Sequence, residues 1–187
     1  MLKQPILLTV FIHEDLKEAN QDHLYVNHLD WVVDRISLIS GRAMDVNFIA
    51  PSAAPPISTF DYKQDDLGDL MASLYSEVLK YAHSEKSFDG RHLYKFLLLT
   101  RDAINDTTLG VAYTAGALAI ASIVHNVAAA HEIAHMFDAR HEDAEENVPT
   151  YYGPANTALY PNTDGTIAFR FSEKNEENIR RYLDSRA

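Results

Sequence analysis

The segment His131-Glu132-Ile133-Ala134-His135, followed by His141, constrains this chain more than any other. In a helix, residues i and i+4 project from one face, one above the other. His131 and His135 aim both imidazoles at a single cation only if the stretch between them is helical. Glu132 stands one step round from the first histidine, within reach of a water on that cation. For His141 to join, the chain must leave the helix abruptly and fold back. Three histidines leave a fourth position open for water, which is the catalytic form of zinc coordination rather than the closed structural form. The candidate metal ligands are therefore His131, His135 and His141, and the candidate catalytic base is Glu132.

The rest of the chain reads as alternating strands and helices. Ile6–Ile12 has the apolar, β-branched density of a strand. Asp22–Ile39 carries Leu24, Val26, Leu29, Val32, Val33, Ile36 and Ile39 at helical spacing, and Gly41 ends it. Met44–Ile49 is a second strand, and the Pro- and Ala-rich stretch Ala50–Ser58 a loop. Asp65–Ser84 is a second helix with acidic residues at its start. Leu93–Thr100 is apolar apart from Lys95 and reads as a buried strand. Gly110–Tyr113 and Ala115–Ala121 are two short strands, and the histidine helix is expected over Ile123–Phe137. Past His141 the chain is rich in Tyr, Pro, Asn and Thr. It ends in a helix over Ser172–Arg186, with Ser172 as candidate N-cap, Glu early and Arg late. This order predicts an α/β sheet with helices packed on it.

The histidine segment resembles the metzincin metallopeptidases, whose signature is H-E-x-x-H-x-x-G-x-x-H followed by a methionine turn. All three ligand positions and the glutamate match, while Asp138 occupies the glycine position. That glycine takes positive φ, and Asp is among the residues that visit this region most readily. We expect Asp138 to be left-handed or to cap the turn. No methionine follows Met136; Ala158-Leu159-Tyr160-Pro161 resembles the matrixin segment Leu-Met-Tyr-Pro, with Leu159 in the supporting place. Leu and Met have similar volume, so a packing role is transferable.

The resemblance implies a mixed twisted sheet with a backing helix and an active-site helix (α/β, or α+β). It implies one catalytic domain, with an N-terminal subdomain of about 1–138 and a loop-rich C-terminal subdomain of about 139–187. It implies one catalytic Zn2+, an endopeptidase reaction, and a peptide or protein substrate that pairs with an edge strand. Gly110, Val111, Ala112 and Tyr113 are the candidate edge. Tyr160 is a candidate oxyanion donor, and Pro161, with Asn162 and Thr163, a candidate wall of the pocket beyond the cut bond. Glu142 is expected to anchor the chain start or a neighbouring loop. Asp138, Glu142 and Asp143 are near enough in sequence to support a ligand histidine. His125 is expected to point away from the metal face. Tyr151 and Tyr152 either line a substrate cleft or pack within the small subdomain.

Composition narrows the rest. The 187 residues suit one domain, and nearly half are hydrophobic. Absence of cysteine rules out disulfides and the cysteine switch of latent matrixins. A net charge of −11 disfavours nucleic acid and anionic membranes. Leu109–Val124 is too short and polar for a membrane span. No signal peptide pattern is visible, so the protein is expected in the cytoplasm, exported by a signal-less route, or secreted if the chain is a trimmed mature form. We expect a monomer, with a protein inhibitor as one means of restraint. The alternative function is an inactive metzincin-like module that holds zinc or binds a protein; Asp138 and Leu159 favour it, and the intact Glu132 opposes it.

Overall fold

The computed structural model of the protein describes residues 3–85, 88–161 and 165–186. Its centre is a five-stranded sheet ordered β2-β1-β3-β5-β4. The strands are β1 (Ile6–Ile12), β2 (Met44–Ile49), β3 (Leu93–Thr100), β4 (Gly110–Ala112) and β5 (Leu118–Ser122). Four are parallel; β4 runs antiparallel to β5 along one edge, Gly110 opposite Ala121 and Ala112 opposite Ala119. Parallel strands are covered on both faces, which is why β3 and β5 are apolar without alternation.

Two cores sandwich this sheet. On one face α3 (Pro55–Ser58) and α4 (Leu67–Ser84) bring Ile57, Leu70, Met71 and Leu74 against Phe11, Phe96, Leu98 and Ile120. On the other, α2 (Asp30–Ser40), α5 (Ala128–His135) and α6 (Glu173–Asp184) pack on Leu8, Val10, Leu97, Leu99, Ala119 and Ala121. The odd and even residues of β3 divide between the two cores because successive strand side chains point to opposite faces. Alanines on both α5 and β5 bring the histidine helix close to the sheet. After α5 the chain makes an antiparallel hairpin, β6 (Val148–Thr150) and β7 (Gly153–Ala155), before α6.

Several boundaries differ from expectation, each for a physical reason. The helix expected over Asp22–Ile39 is broken into α1 (Gln21–Leu24), a π turn (Tyr25–Leu29) and α2. A π turn holds more residues than an α turn, so it rotates the apolar face. Leu24 and Leu29 are buried, while Val26 is 65% exposed. Ala50–Ser58 is not all loop: Pro51–Ala53 forms a 3-10 turn and α3 follows, with prolines in the first turn where their missing N–H costs nothing. Asp66 caps α4 by accepting from the Asp69 amide, so that helix starts at Leu67. Tyr113 and Ala115 lie in the turn between β4 and β5, outside both strands. The histidine helix starts at Ala128 because Ser122 and Ile123 are still bonded to the sheet, through Leu109 and Thr100 carbonyls. Ser172 caps α6 as expected, and the helix ends at Asp184. No helix of the described residues is long and apolar enough to cross a membrane.

Candidate metal centre

Helix α5 carries two of the three histidines. Just before its start His125 Nδ1 accepts from the amide of the N-cap residue Val127 at 3.3 Å, and the helix start has no side-chain cap. At its end the amide of Ala139 reaches the Ala134 carbonyl, and that of Asp138 the His135 carbonyl. This crossed pair is a Schellman stop, and it needs a left-handed residue at its corner. Asp138 takes that place with φ 69°, as expected, and its carboxylate pairs with Arg140 at 3.0 Å. The chain then reverses into a 3-10 turn, His141–Asp143.

The reversal brings the three imidazoles together. The Nε2 atoms of His131 and His141 are 2.8 Å apart, those of His131 and His135 3.1 Å, and those of His135 and His141 3.0 Å. Backbone carbonyls fix two tautomers. Ala158 O accepts from His131 Nδ1 at 2.8 Å, and Ala139 O from His135 Nδ1 at 2.7 Å. A carbonyl only accepts, so each Nδ1 carries the proton and each Nε2 presents a lone pair. The Nε2 lone pairs of His131 and His135 face one another 3.1 Å apart, an arrangement that repels unless a cation, or a proton on His141 Nε2, lies among them, and the donor set is compatible with a metal ion. Burial, reinforced by the neighbouring imidazoles, pushes His131 down to about 3, and burial lowers His135 and His141 as well. All three stay neutral, the form that ligates.

None of Asp138, Glu142 or Asp143 meets a histidine ring; the carbonyls do that work. Glu142 is exposed and lies 3.9 Å from Arg140; the chain start, its expected partner, lies outside the described residues. Asp143 instead accepts from Asn178 Nδ2 at 2.6 Å. Buried Asn175 of α6 clamps both backbone groups of Arg140, accepting from its amide at 2.7 Å and donating to its carbonyl at 3.0 Å. The residue holding the third histidine's turn was thus missed in the sequence. Its signal is two asparagines, 175 and 178, in the buried stripe of α6 beside Ile179 and Tyr182.

Glu132 is buried under β4, and burial pushes its carboxyl up to about 8. A hollow of about 460 Å³ opens beside it, lined by Gly110, Val111, Ala112, His131, His135 and His141 among others. A second, of about 220 Å³, adjoins His131 and Glu132 and is walled by Leu109, Val127, Ala158, Tyr160, Pro161 and Ile167. Gly110, Val111, Ala112, Tyr160 and Pro161 therefore border the histidines, while Asn162 and Thr163 lie outside the described residues. Tyr113 borders neither hollow; its ring meets Tyr75 edge-on. Leu159 is fully buried, in the core that also holds Ile133 and Phe137. Tyr151 and Tyr152 are each 94% exposed at the hairpin tip, edge-on to one another, and pack into no core.

No family model matches the sequence, and no curated protein matches it. Among solved structures, the fold is similar to metalloproteinase-II from Bacteroides fragilis, with a TM-score of 0.65 and 13% sequence identity over 97% of this chain and 54% of that one. The chain spans about half the length of that protein. The likeness shows the architecture alone: a mixed α/β fold built on a mostly parallel sheet.

Proposed function

We propose that the chain is a zinc-dependent endopeptidase in which His131, His135 and His141 hold the ion and Glu132 is the general base. The observation that carries this reading is the convergence of three imidazole nitrogens within 3.1 Å of one another. Corners of a tetrahedron with zinc–nitrogen bonds of ~2.0–2.1 Å lie roughly 3.3 Å apart, a few tenths of an ångström wider. When bound, zinc polarises the substrate carbonyl and lowers the pKa of water.

Glu132 takes the proton from the attacking water and returns it to the leaving amine. Burial raises its carboxyl above the usual carboxylate range, which favours returning the proton, while a cation on the histidines would draw it toward the ionised, accepting form. The free edge of β4 (Gly110–Ala112) pairs with an extended substrate. The second hollow, with Pro161 on its wall, receives an apolar side chain of the substrate. Tyr160, beside that hollow, offers a phenol to the developing oxyanion. Leu159 supports the centre by packing, its neighbour Ala158 holding His131. The subdomains are taken to divide at Asp138.

The inactive zinc-holding alternative drew on Asp138 and Leu159. Asp138 adopts the required left-handed conformation and Leu159 is fully buried, which supports the active reading. The test is cleavage of a peptide library by the metal-loaded protein, before and after chelation. Cleavage that a chelator abolishes and stoichiometric zinc restores is the expected result. Bound zinc with no cleavage of any peptide would instead select the inactive module.

A further inference from the structure

Lys95 is 1% exposed, in the middle of β3, and the proposed reaction gives it no part. Its Nζ donates to the Met136 carbonyl at 2.7 Å, meets the Tyr182 hydroxyl at 2.8 Å, and also donates to the Gly116 carbonyl. The rings of Phe137 and Tyr182 each stand 4.7 Å from it. Met136 directly follows His135 at the end of the histidine helix. Gly116 belongs to the turn that leaves β4. Within that turn the Ala115 amide donates to the His135 carbonyl at 2.9 Å, and Ala115 sits at φ 54°, where an alanine is strained. The helix end has its own Schellman stop and buried side chains. Among the described residues, the Ala115 and Lys95 bonds alone fasten the turn to the helix, apart from its own closure.

We infer that Lys95 is a positioning residue that fastens the turn following β4 to the end of the metal-binding helix, so that the substrate edge and the ligands keep one geometry. The contact set works in either protonation state. An ammonium gives its three protons to the two carbonyls and the Tyr182 oxygen. A neutral amine gives two to the carbonyls and accepts the third from the Tyr182 hydroxyl. A residue kept only for its volume would need none of these partners, since an apolar chain of the same length fills the space without burying a polar group.

The consequence for substrate binding rests on the proposed peptidase reading; the fastening itself does not. The test is therefore amide hydrogen exchange on the metal-free full chain, comparing wild type, Lys95→Met and Tyr182→Phe across a urea series. Local opening is independent of urea, whereas global unfolding is not. The Ala115 amide is expected to exchange at least about tenfold faster in Lys95→Met with no urea dependence, and by a smaller factor in Tyr182→Phe. An Ala115 rate that is unchanged, or that rises only in step with Leu98 of central β3 and with its urea slope, overturns the inference. If Lys95→Met does not fold, the same comparison in Tyr182→Phe decides it. In the zinc-loaded enzyme, KM for a peptide is expected to rise about tenfold in Lys95→Met, with kcat and zinc affinity within about threefold. A faster Ala115 amide in a protein that cleaves nothing would sink the peptidase reading and leave the fastening intact.

Discussion

Gly110 lies so close to Glu132 that a Cβ on Gly110 would stand 2.6 Å from the Glu132 Cγ and 2.7 Å from the Ile120 carbonyl. The edge strand and the candidate base fit together only because residue 110 has no side chain. Gly110→Ala must therefore move either β4 or the carboxylate. A displacement on the order of 1 Å costs about 100-fold in rate. We expect kcat/KM to fall by roughly that factor while zinc content stays at one per chain, checked by steady-state kinetics and metal analysis. Unchanged kinetics would show that Glu132 is not held by this contact.

Asp138 at φ 69° gives a paired prediction. Asp138→Gly relieves the conformation and loses only an ion pair whose arginine is half exposed, so stability changes by less than about 1 kcal/mol. Asp138→Val forces a β-branched residue into the left-handed region at a cost of about 1–2 kcal/mol or more. Urea unfolding of both variants checks the order.

Asn175 holds the turn that presents His141. Removing a partner that orients a ligand costs about 10- to 100-fold in metal affinity. Asn175→Ala is expected at the lower end, about tenfold, because it acts through the Arg140 backbone and not on the ring. Competition with a chromophoric chelator measures this. Affinity equal to wild type would place the control of His141 elsewhere.

Burial, and secondarily the charge of Arg186, pushes Lys95 down to about 7. The unfolded chain keeps this proton up to about pH 10.4. Between about pH 7 and pH 10.4 the unfolded state thus binds more protons than the native state, and Lys95 makes stability rise with pH. Below about pH 7 both states are protonated and the contribution is flat. The difference in Tm between wild type and Lys95→Met, measured on metal-free protein, should therefore grow in favour of wild type from pH 7 to pH 9.5. A difference that is constant with pH contradicts the shift.

The histidine helix was legible because the spacing of 131, 135 and 141 leaves few geometries that bring three rings together. The strands were legible because buried parallel strands are apolar throughout. What escaped was set by contacts distant in sequence. The π turn at Tyr25–Leu29 lies inside an unbroken apolar rhythm, and only the exposure of Val26 reveals it. The residues 123–127 look helical, yet Ile123 is still tied to β3 through Thr100. Asn175 and Lys95 are polar residues on apolar faces, a pattern visible in the sequence. Their partners, Arg140 in one case and Gly116, Met136 and Tyr182 in the other, come from elements that meet only in the fold.

The most direct test of the central claim is zinc stoichiometry measured together with kcat on wild type and Glu132→Ala. Glu132 is proposed as a base and not as a ligand. The account predicts one zinc per chain in both proteins, and a kcat at least about 100-fold lower in the variant. Cleavage that survives the substitution, or zinc absent from the wild type after remetallation, would contradict it.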